Sequence, residues 1–358
     1  SILLVSGYSP VAKKGELSPY SSTSILWKTQ WPIKPELVCD GGNVATDKIN
    51  FQENDDLSKL TLNKDISNRL FDTIHATSAA TAQCSYIAAE LMSAYNNLRP
   101  ETVRALLIHS ARWTDAMKLQ AGFPQNDSKG GGRRKLLRSC GYGVPDLGRA
   151  KDTLNNRVNM IIEEEIQPYE KVQGASSPKM KEIHFHKLPW PDAVLQNLEN
   201  TEAEMRITLS YFIEPGPGQK GWRDKYRYAS CALRFEIKHP NETDDQFQQR
   251  INKAMREDDY QKTNTTDNNW YLGPNNRDVG SIHSDVWKDS AINLSRCDSV
   301  AVYPIGGWWK ERTNLNKFNS KIRYSLIITI ETPAVSEDLY TPIMTKIASK
   351  IPTPIVTQ

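Results

Sequence analysis

The sequence predicts two parts of different class: an α/β unit over residues 1–160 and a mainly β domain over 161–345, with 346–358 as a peripheral tail. Two observations carry this. In the first part, short apolar runs at Ile2–Val5 and Ile33–Cys39 alternate with helix-forming stretches at 78–95 and 100–111, the pattern of an α/β layer. In the second, β-prone runs recur at Glu182–Leu188, Glu204–Glu214, Tyr226–Ile237 and Tyr324–Ile330. Polar loops separate them, which suits a sandwich or jelly roll.

Taken in order, Ile2–Val5 reads as a buried strand that turns at Ser6-Gly7. Residues 9–24 are rich in Ser, Pro and Gly and read as loop. Ile33–Cys39 reads as a second strand, closed by the turn signal Asp40-Gly41-Gly42-Asn43. Residues 50–69 are polar with isolated Leu and Ile, a surface excursion. A turn-like lead-in ends at Ala76-Thr77-Ser78. From Ser78 to about Tyr95, Ala, Leu, Met, Glu and Gln dominate without Pro or Gly, so a helix is expected. Its alanines 79, 80, 82, 88 and 89 permit close approach to a sheet. Pro100-Glu101 opens a second helix, with Val103, Leu106, Leu107 and Ser110 on its buried face. Residues 123–135, with three glycines and Arg133-Arg134-Lys135, read as an exposed loop open to nicking. A Gly-rich turn at 141–147 leads into a short helix that continues to about Ile161.

In the second part, Met205, Ile207, Leu209 and Phe212 mark one strand face, with a change of phase before the turn Pro215-Gly216-Pro217-Gly218. Residues 243–259 suit a helix with Phe247, Ile251 and Ala254 on one face. Residues 260–280 read as loop.

Composition narrows the classes. The 358 residues suffice for two cores. Basic and acidic residues nearly balance, 45 against 42, which gives no support to nucleic-acid binding. No run approaches the length of a membrane span. The five cysteines at 39, 84, 140, 231 and 297 form neither a paired metal motif nor a disulfide framework, and point to a reducing, cytoplasmic setting. The opening SILLVSGYSP lacks the length and basic flank of a signal peptide; it reads as a strand, with the chain beginning inside a domain.

Six segments in order then resemble the C-terminal part of a subtilisin-like serine peptidase domain. Ala76-Thr77-Ser78-Ala79-Ala80 is similar to that family's Gly-Thr-Ser-Met-Ala nucleophile segment. Leu98–Ala111 resembles the helix that follows it, and Gly141–Leu147 the closing glycine turn. Upstream, Ile2–Tyr8 resembles a family strand, Glu16–Ser21 the Ser-rich turn after it, and Lys34–Leu37 with Gly41-Gly42 the Lys-Pro-Asp segment and its glycine turn. Two departures stand out: Ala76 where the family has Gly, and Thr81-Ala82 where it has Pro. The run LSYFIEPGP at 209–217 resembles a strand and turn of β-sandwich domains appended to many subtilases.

The resemblance implies a partial three-layer α/β domain with a parallel sheet, followed by the β domain. It implies Ser78 as the nucleophile of a serine endopeptidase acting on a peptide or protein. A His base, its Asp and an oxyanion Asn come earlier in the family order, so a missing N-terminal segment or an associated chain would supply them. Structural calcium is implied without assignable ligands; no other cofactor is evident.

The remaining candidates carry blander readings. His75, three residues before Ser78, reads as a loop histidine, and His109 as a buried helix residue. His184 and His186 share a strand face but lack further ligands for zinc. Cys84 reads as a small core residue. Without the family match, Ser78 is a helix cap. Two rival functions remain: a non-catalytic binding scaffold, and a carbohydrate-binding module with Trp308 and Trp309 as its platform.

Overall fold

A computed structural model describes residues 8–29, 31–95, 97–123, 131–155, 159–188, 190, 192–216, 228–257, 269–331 and 353–356. The chain divides into two units, Ser1–Leu98 with Leu107–Lys151, and Arg99–Leu106 with Asp152–Gln358.

In the first unit, β1 (Ser9–Pro10), β2 (Ala45–Thr46) and β3 (Phe51–Gln52) form a small antiparallel sheet. β4 (Lys59–Leu62) and β5 (Phe71–Ile74) make an antiparallel hairpin. Residues 50–69 are largely exposed, as a surface excursion should be, and hold β3 and β4. Helices α1 (Ala76–Ala94), α3 (Asp115–Ala121) and α4 (Gly131–Cys140) belong to this unit, whereas α2 (Pro100–Ser110) contributes to it only from Leu107 on and α5 (Leu147–Asn155) only up to Lys151. Sequence sets their ends. The Thr114 hydroxyl caps α3 by accepting from the Met117 N–H at 3.1 Å, and Gly122 closes it in the left-handed region at φ +80°. Met117, Ala121, Leu136 and Cys140 make one core cluster between α3 and α4. That cluster explains why residues 131–135, read as loop, are helix: α4 buries Leu136 and Cys140 against α3.

Ile33–Cys39 is not a strand. It runs as an extended segment tied to the closing turn, the Tyr142 N–H donating to Glu36 O at 2.8 Å and the Val38 N–H to Gly143 O at 3.1 Å. A Cβ on Gly143, at φ +103°, would lie 2.3 Å from Arg112 O. Threading this turn between two backbones is what demands glycine there. Every described ladder is antiparallel. The expected parallel sheet thus has no counterpart among the described residues, and Ile2–Val5 lies outside them.

The second unit holds two four-stranded sheets. One has the order β12 (Ile282–Ser290), β10 (Glu202–Tyr211), β14 (Ile322–Glu331), β6 (Asn159–Ile166). The other runs β11 (Ala232–Ile237), β13 (Ser299–Ile305), β9 (Glu182–Lys187), β15 (Thr353–Val356). β7 (Tyr169–Glu170) and β8 (Lys179–Met180) pair separately. Met205, Ile207, Leu209 and Tyr211 of β10 share one core with Leu233 and Phe235 of β11 and with Leu326 and Ile328 of β14. The alternation continues unbroken to Tyr211 while Phe212 is exposed. The expected change of phase therefore does not occur.

The closing helix stops at Asn155, and β6 starts at Asn159. β12 escaped the sequence reading because polar Ser284 and Asp285 interrupt its apolar pattern, and β13, a continuous apolar run from Val300 to Ile305, was not read as a strand either. Within the stretch read as a peripheral tail, Thr353–Val356 pairs with β9 as an edge strand.

The helices of this unit are α6 (Asp192–Asn197), α7 (Asp244–Glu257), α8 (Pro274–Arg277), α9 (Ala291–Arg296) and α10 (Trp308–Glu311). Thr243 and Gln246 cap α7 reciprocally, at 2.9 and 3.2 Å. Its Phe247, Ile251 and Met255 pack on Ala301 and Tyr303 of β13.

Arg277 is fully buried between aromatic rings, its guanidinium carbon 4.3 Å from the Phe235 centroid and 4.5 Å from that of Trp270. Asp278 lies at 2.9 Å, Glu236 at 2.8 Å and Asp285 at 3.7 Å. Three carboxylates thus share this cation, with Arg234 also near Asp278 and Arg250 near Glu236. Arg277→Met should lower unfolding free energy by about 3–5 kcal/mol, because it strands buried charge; urea unfolding followed by Trp fluorescence measures it.

Burial pushes Asp285 up to about 6 from 3.8, against the pull of Arg277 and three backbone N–H donors. Burial also takes His283 down to about 4 from 6.5. The two act with opposite signs. Asp285 contributes stability that is lost as pH rises through 6, whereas His283 contributes stability that is lost as pH falls through 4. His283→Gln removes only the second dependence. The stability of the variant minus that of wild type should then fall between pH 4 and 6.5, at up to about 1.4 kcal/mol per pH unit; urea titrations across that range check it.

Candidate functional site

Ser78 lies in the first turn of α1, two residues after the helix begins, and is exposed. The residue at the cap is His75, in extended conformation and without a side-chain capping bond. The cap reading of Ser78 therefore fails on position. Among the described residues its hydroxyl has no hydrogen-bond partner. Its N–H belongs to the turn whose donors lack carbonyls from a preceding turn.

Backbone geometry sets this orientation. Ala76 has φ +67°, in the left-handed region. Its N–H donates to Gly41 O at 2.7 Å. A Cβ on Gly41 would stand 2.7 Å from Ala76 O, so only glycine lets the two backbones approach. The Gly41 turn is itself braced. The Ser18 hydroxyl donates to Gly42 O at 2.7 Å, the Asp40 carboxylate accepts from the Gly42 N–H at 3.1 Å, and the Gln83 amide of α1 donates to Asp40 O. Burial of the Asp40 carboxyl is outweighed by Lys59 and that N–H, which hold it below the usual carboxylate range.

His75 does not serve Ser78. Its Nε2 lies 3.1 Å from Glu53, and its ring stacks on Tyr20 at 5.0 Å between centroids. Burial, with the Glu53 charge, raises the Tyr20 hydroxyl. His109 is buried within α2. His184 Nδ1 and His186 Nε2 both meet the Tyr324 hydroxyl at 2.8 Å. One hydroxyl can donate to one imidazole and accept from the other, so the pair ties β9 to β14. Among the described residues no group of three or more His, Cys, Asp or Glu is placed to hold a metal ion.

Trp308 and Trp309 are buried, and their indoles donate to Glu214 O at 2.9 Å and to its carboxylate at 3.0 Å. A sugar platform needs an exposed ring face, so that reading is corrected to packing. Arg223, Lys225 and Arg227, whose alternation with aromatic residues reads as a solvated strand face, lie outside the described residues.

Sequence reading missed one pair. Cys39 and Cys84, 45 residues apart, bring their sulfurs to 3.3 Å. Only the folding of the Gly41 turn onto α1 joins them, and no local spacing announces it.

Residues 1–143 match the model of the subtilase family. The resemblance read from the ordered segments thus stands at family level for that stretch. An uncharacterized protein, y4bN, of Sinorhizobium fredii (strain NBRC 101917 / NGR234) is 26% identical to this chain over 237 residues, covering 63% of the chain and 47% of that protein. The chain spans about half the length of this curated relative. No helix among the described residues is long and apolar enough to cross a membrane.

The left-handed backbone at Ala76 costs about 1–2 kcal/mol, more than the entropy a glycine adds. Ala76→Gly should therefore stabilise the protein by about 0.5–1 kcal/mol. Gly41→Ala should destabilise it, because the new methyl would press on Ala76 O. Urea unfolding of the two variants should move in opposite directions from wild type.

Proposed function

We propose that this chain is part of a serine endopeptidase that hydrolyses peptide bonds through an acyl-enzyme on Ser78. The observation that carries the reading is an exposed serine hydroxyl in the first turn of α1, without a hydrogen-bond partner among the described residues, inside a stretch that matches the subtilase family. A serine hydroxyl attacks a carbonyl only when a base takes its proton. In this reading a segment upstream of residue 1, or an associated chain, supplies the His base, the Asp that orients it and an oxyanion Asn. This chain contributes the nucleophile and one oxyanion donor. The Ser78 N–H, at the positive end of the α1 dipole, faces charge developing on the attacked carbonyl oxygen. The β-rich second unit acts in this reading as a β-sandwich appendage, and the wide spacing of the cysteines supports a cytoplasmic setting.

Exposed apolar side chains support a covering segment. Tyr86 and Met92 of α1 are 60% and 55% exposed, and Leu60, Leu62 and Phe71 of the β4–β5 hairpin are exposed as well. A surface this apolar ordinarily meets a partner.

Ala76, an alanine where the resembled family has glycine, favours a second reading, a non-catalytic binding scaffold. A fluorophosphonate probe on the full-length protein separates the two. The enzyme reading expects covalent labelling at Ser78, lost at least 100-fold in Ser78→Ala while circular dichroism is unchanged. Labelling that survives the substitution rejects Ser78, and absence of labelling in the full-length protein favours the scaffold.

A further inference from the structure

We infer that Cys39 and Cys84 form a reversible dithiol–disulfide site that ties the Gly41 turn to the helix carrying Ser78. Both are unlinked and half-buried, with their sulfurs at 3.3 Å. A disulfide needs about 2.05 Å, so closure asks for a local adjustment rather than a rearrangement. The surroundings are already fixed on both sides. Gln83, beside Cys84, donates to Asp40 O, beside Cys39, and the Ala76 N–H donates to Gly41 O. The other three cysteines offer a contrast, since Cys140, Cys231 and Cys297 are buried.

Either sulfur can donate in the bond between them. With Cys39 as donor, that bond favours the Cys84 thiolate against the opposing effect of burial and, with burial, pushes the Cys39 thiol up. In that arrangement Cys84 is the attacking sulfur. Its thiolate attacks one oxygen of a peroxide, the O–O bond breaks, and Cys84 becomes a sulfenic acid as hydroxide leaves and takes up a proton to give water. The Cys39 sulfur then attacks the sulfenic sulfur, forming the S–S bond, and the departing hydroxide takes the Cys39 proton. Two thiols and one hydrogen peroxide yield one disulfide and two waters. A small-molecule dithiol reverses the link by exchange.

In a reducing compartment such a pair is transient, which suits redox sensing rather than structural stapling. The link itself does not depend on Ser78 being a nucleophile. Its consequence for function does rest on that reading, because the tie restrains the turn against which α1 starts.

The test uses the full chain, exposed to hydrogen peroxide under native conditions, alkylated with N-ethylmaleimide in denaturant, and mapped by mass spectrometry. The expected product is a Cys39–Cys84 cross-linked peptide pair, lighter by two hydrogens than its parts and released by dithiothreitol. Cys140, Cys231 and Cys297 should be alkylated. In Cys39→Ser, dimedone should trap Cys84 as its sulfenic acid. Alkylation of both Cys39 and Cys84 at a peroxide dose that oxidises exposed Met92 overturns the proposal. So does pairing of either residue with another cysteine, or failure of dimedone to label Cys84 in Cys39→Ser. Mass alone reads the outcome, so a failure of fluorophosphonate labelling leaves the disulfide standing.

Discussion

The hydrogen bond from the Ala76 N–H to Gly41 O decides where α1 begins and what its first turn presents. At 2.7 Å it requires the Gly41 backbone to lie where any Cβ would strike the Ala76 carbonyl. Because that donor is occupied outside the helix, the chain turns through a left-handed residue before entering α1. The strain at Ala76 and the small side chain at Gly41 are two parts of one constraint. Strain of this kind persists only where the surroundings over-determine it, and here Ser18, Asp40 and Gln83 all brace the Gly41 turn.

This constraint separates two roles that a serine at a helix start can take. A capping serine spends its hydroxyl on the first-turn N–H groups. Ser78 is past the cap position and keeps its hydroxyl unengaged, while the cap residue His75 turns its ring toward Glu53 and Tyr20. The N-terminal donors of α1 are therefore not filled by a side chain, and the end of the helix retains its pull on negative charge. That is an electrostatic property of the backbone, independent of any base.

Helices α1, α2 and α5 were legible because their composition and their Pro and Gly punctuation act locally, whereas α3 and the start of α4 escaped. The small strands of the first unit escaped as well, since two-residue strands carry no period. In the second unit β10 and β14 were visible as apolar alternation. β12 was hidden because Ser284 and Asp285 are buried polar residues whose partners, Thr208 and Arg277, lie on other elements. The site divides the same way. The position of Ser78 could be read from the order of neighbouring segments, but its unengaged hydroxyl depends on a left-handed alanine that no propensity favours. The meeting of Cys39 with Cys84 depends wholly on tertiary folding.

The two units differ in how completely they bury what they carry. In the second, a single core gathers Trp190, Trp287, Trp308, Tyr211 and Phe235, and even the charge of Arg277 is enclosed. In the first, α1 is nineteen residues long yet buries only Ala79 and Leu91. A helix of that length is marginal in water without a packed face, and its alanines have little apolar surface to bury where they stand. Small residues along a helix acquire value when another backbone lies close against them, because they permit an approach that larger side chains forbid. The same argument that makes Gly41 necessary beside Ala76 thus extends along α1: a helix so rich in alanine is shaped for close cover.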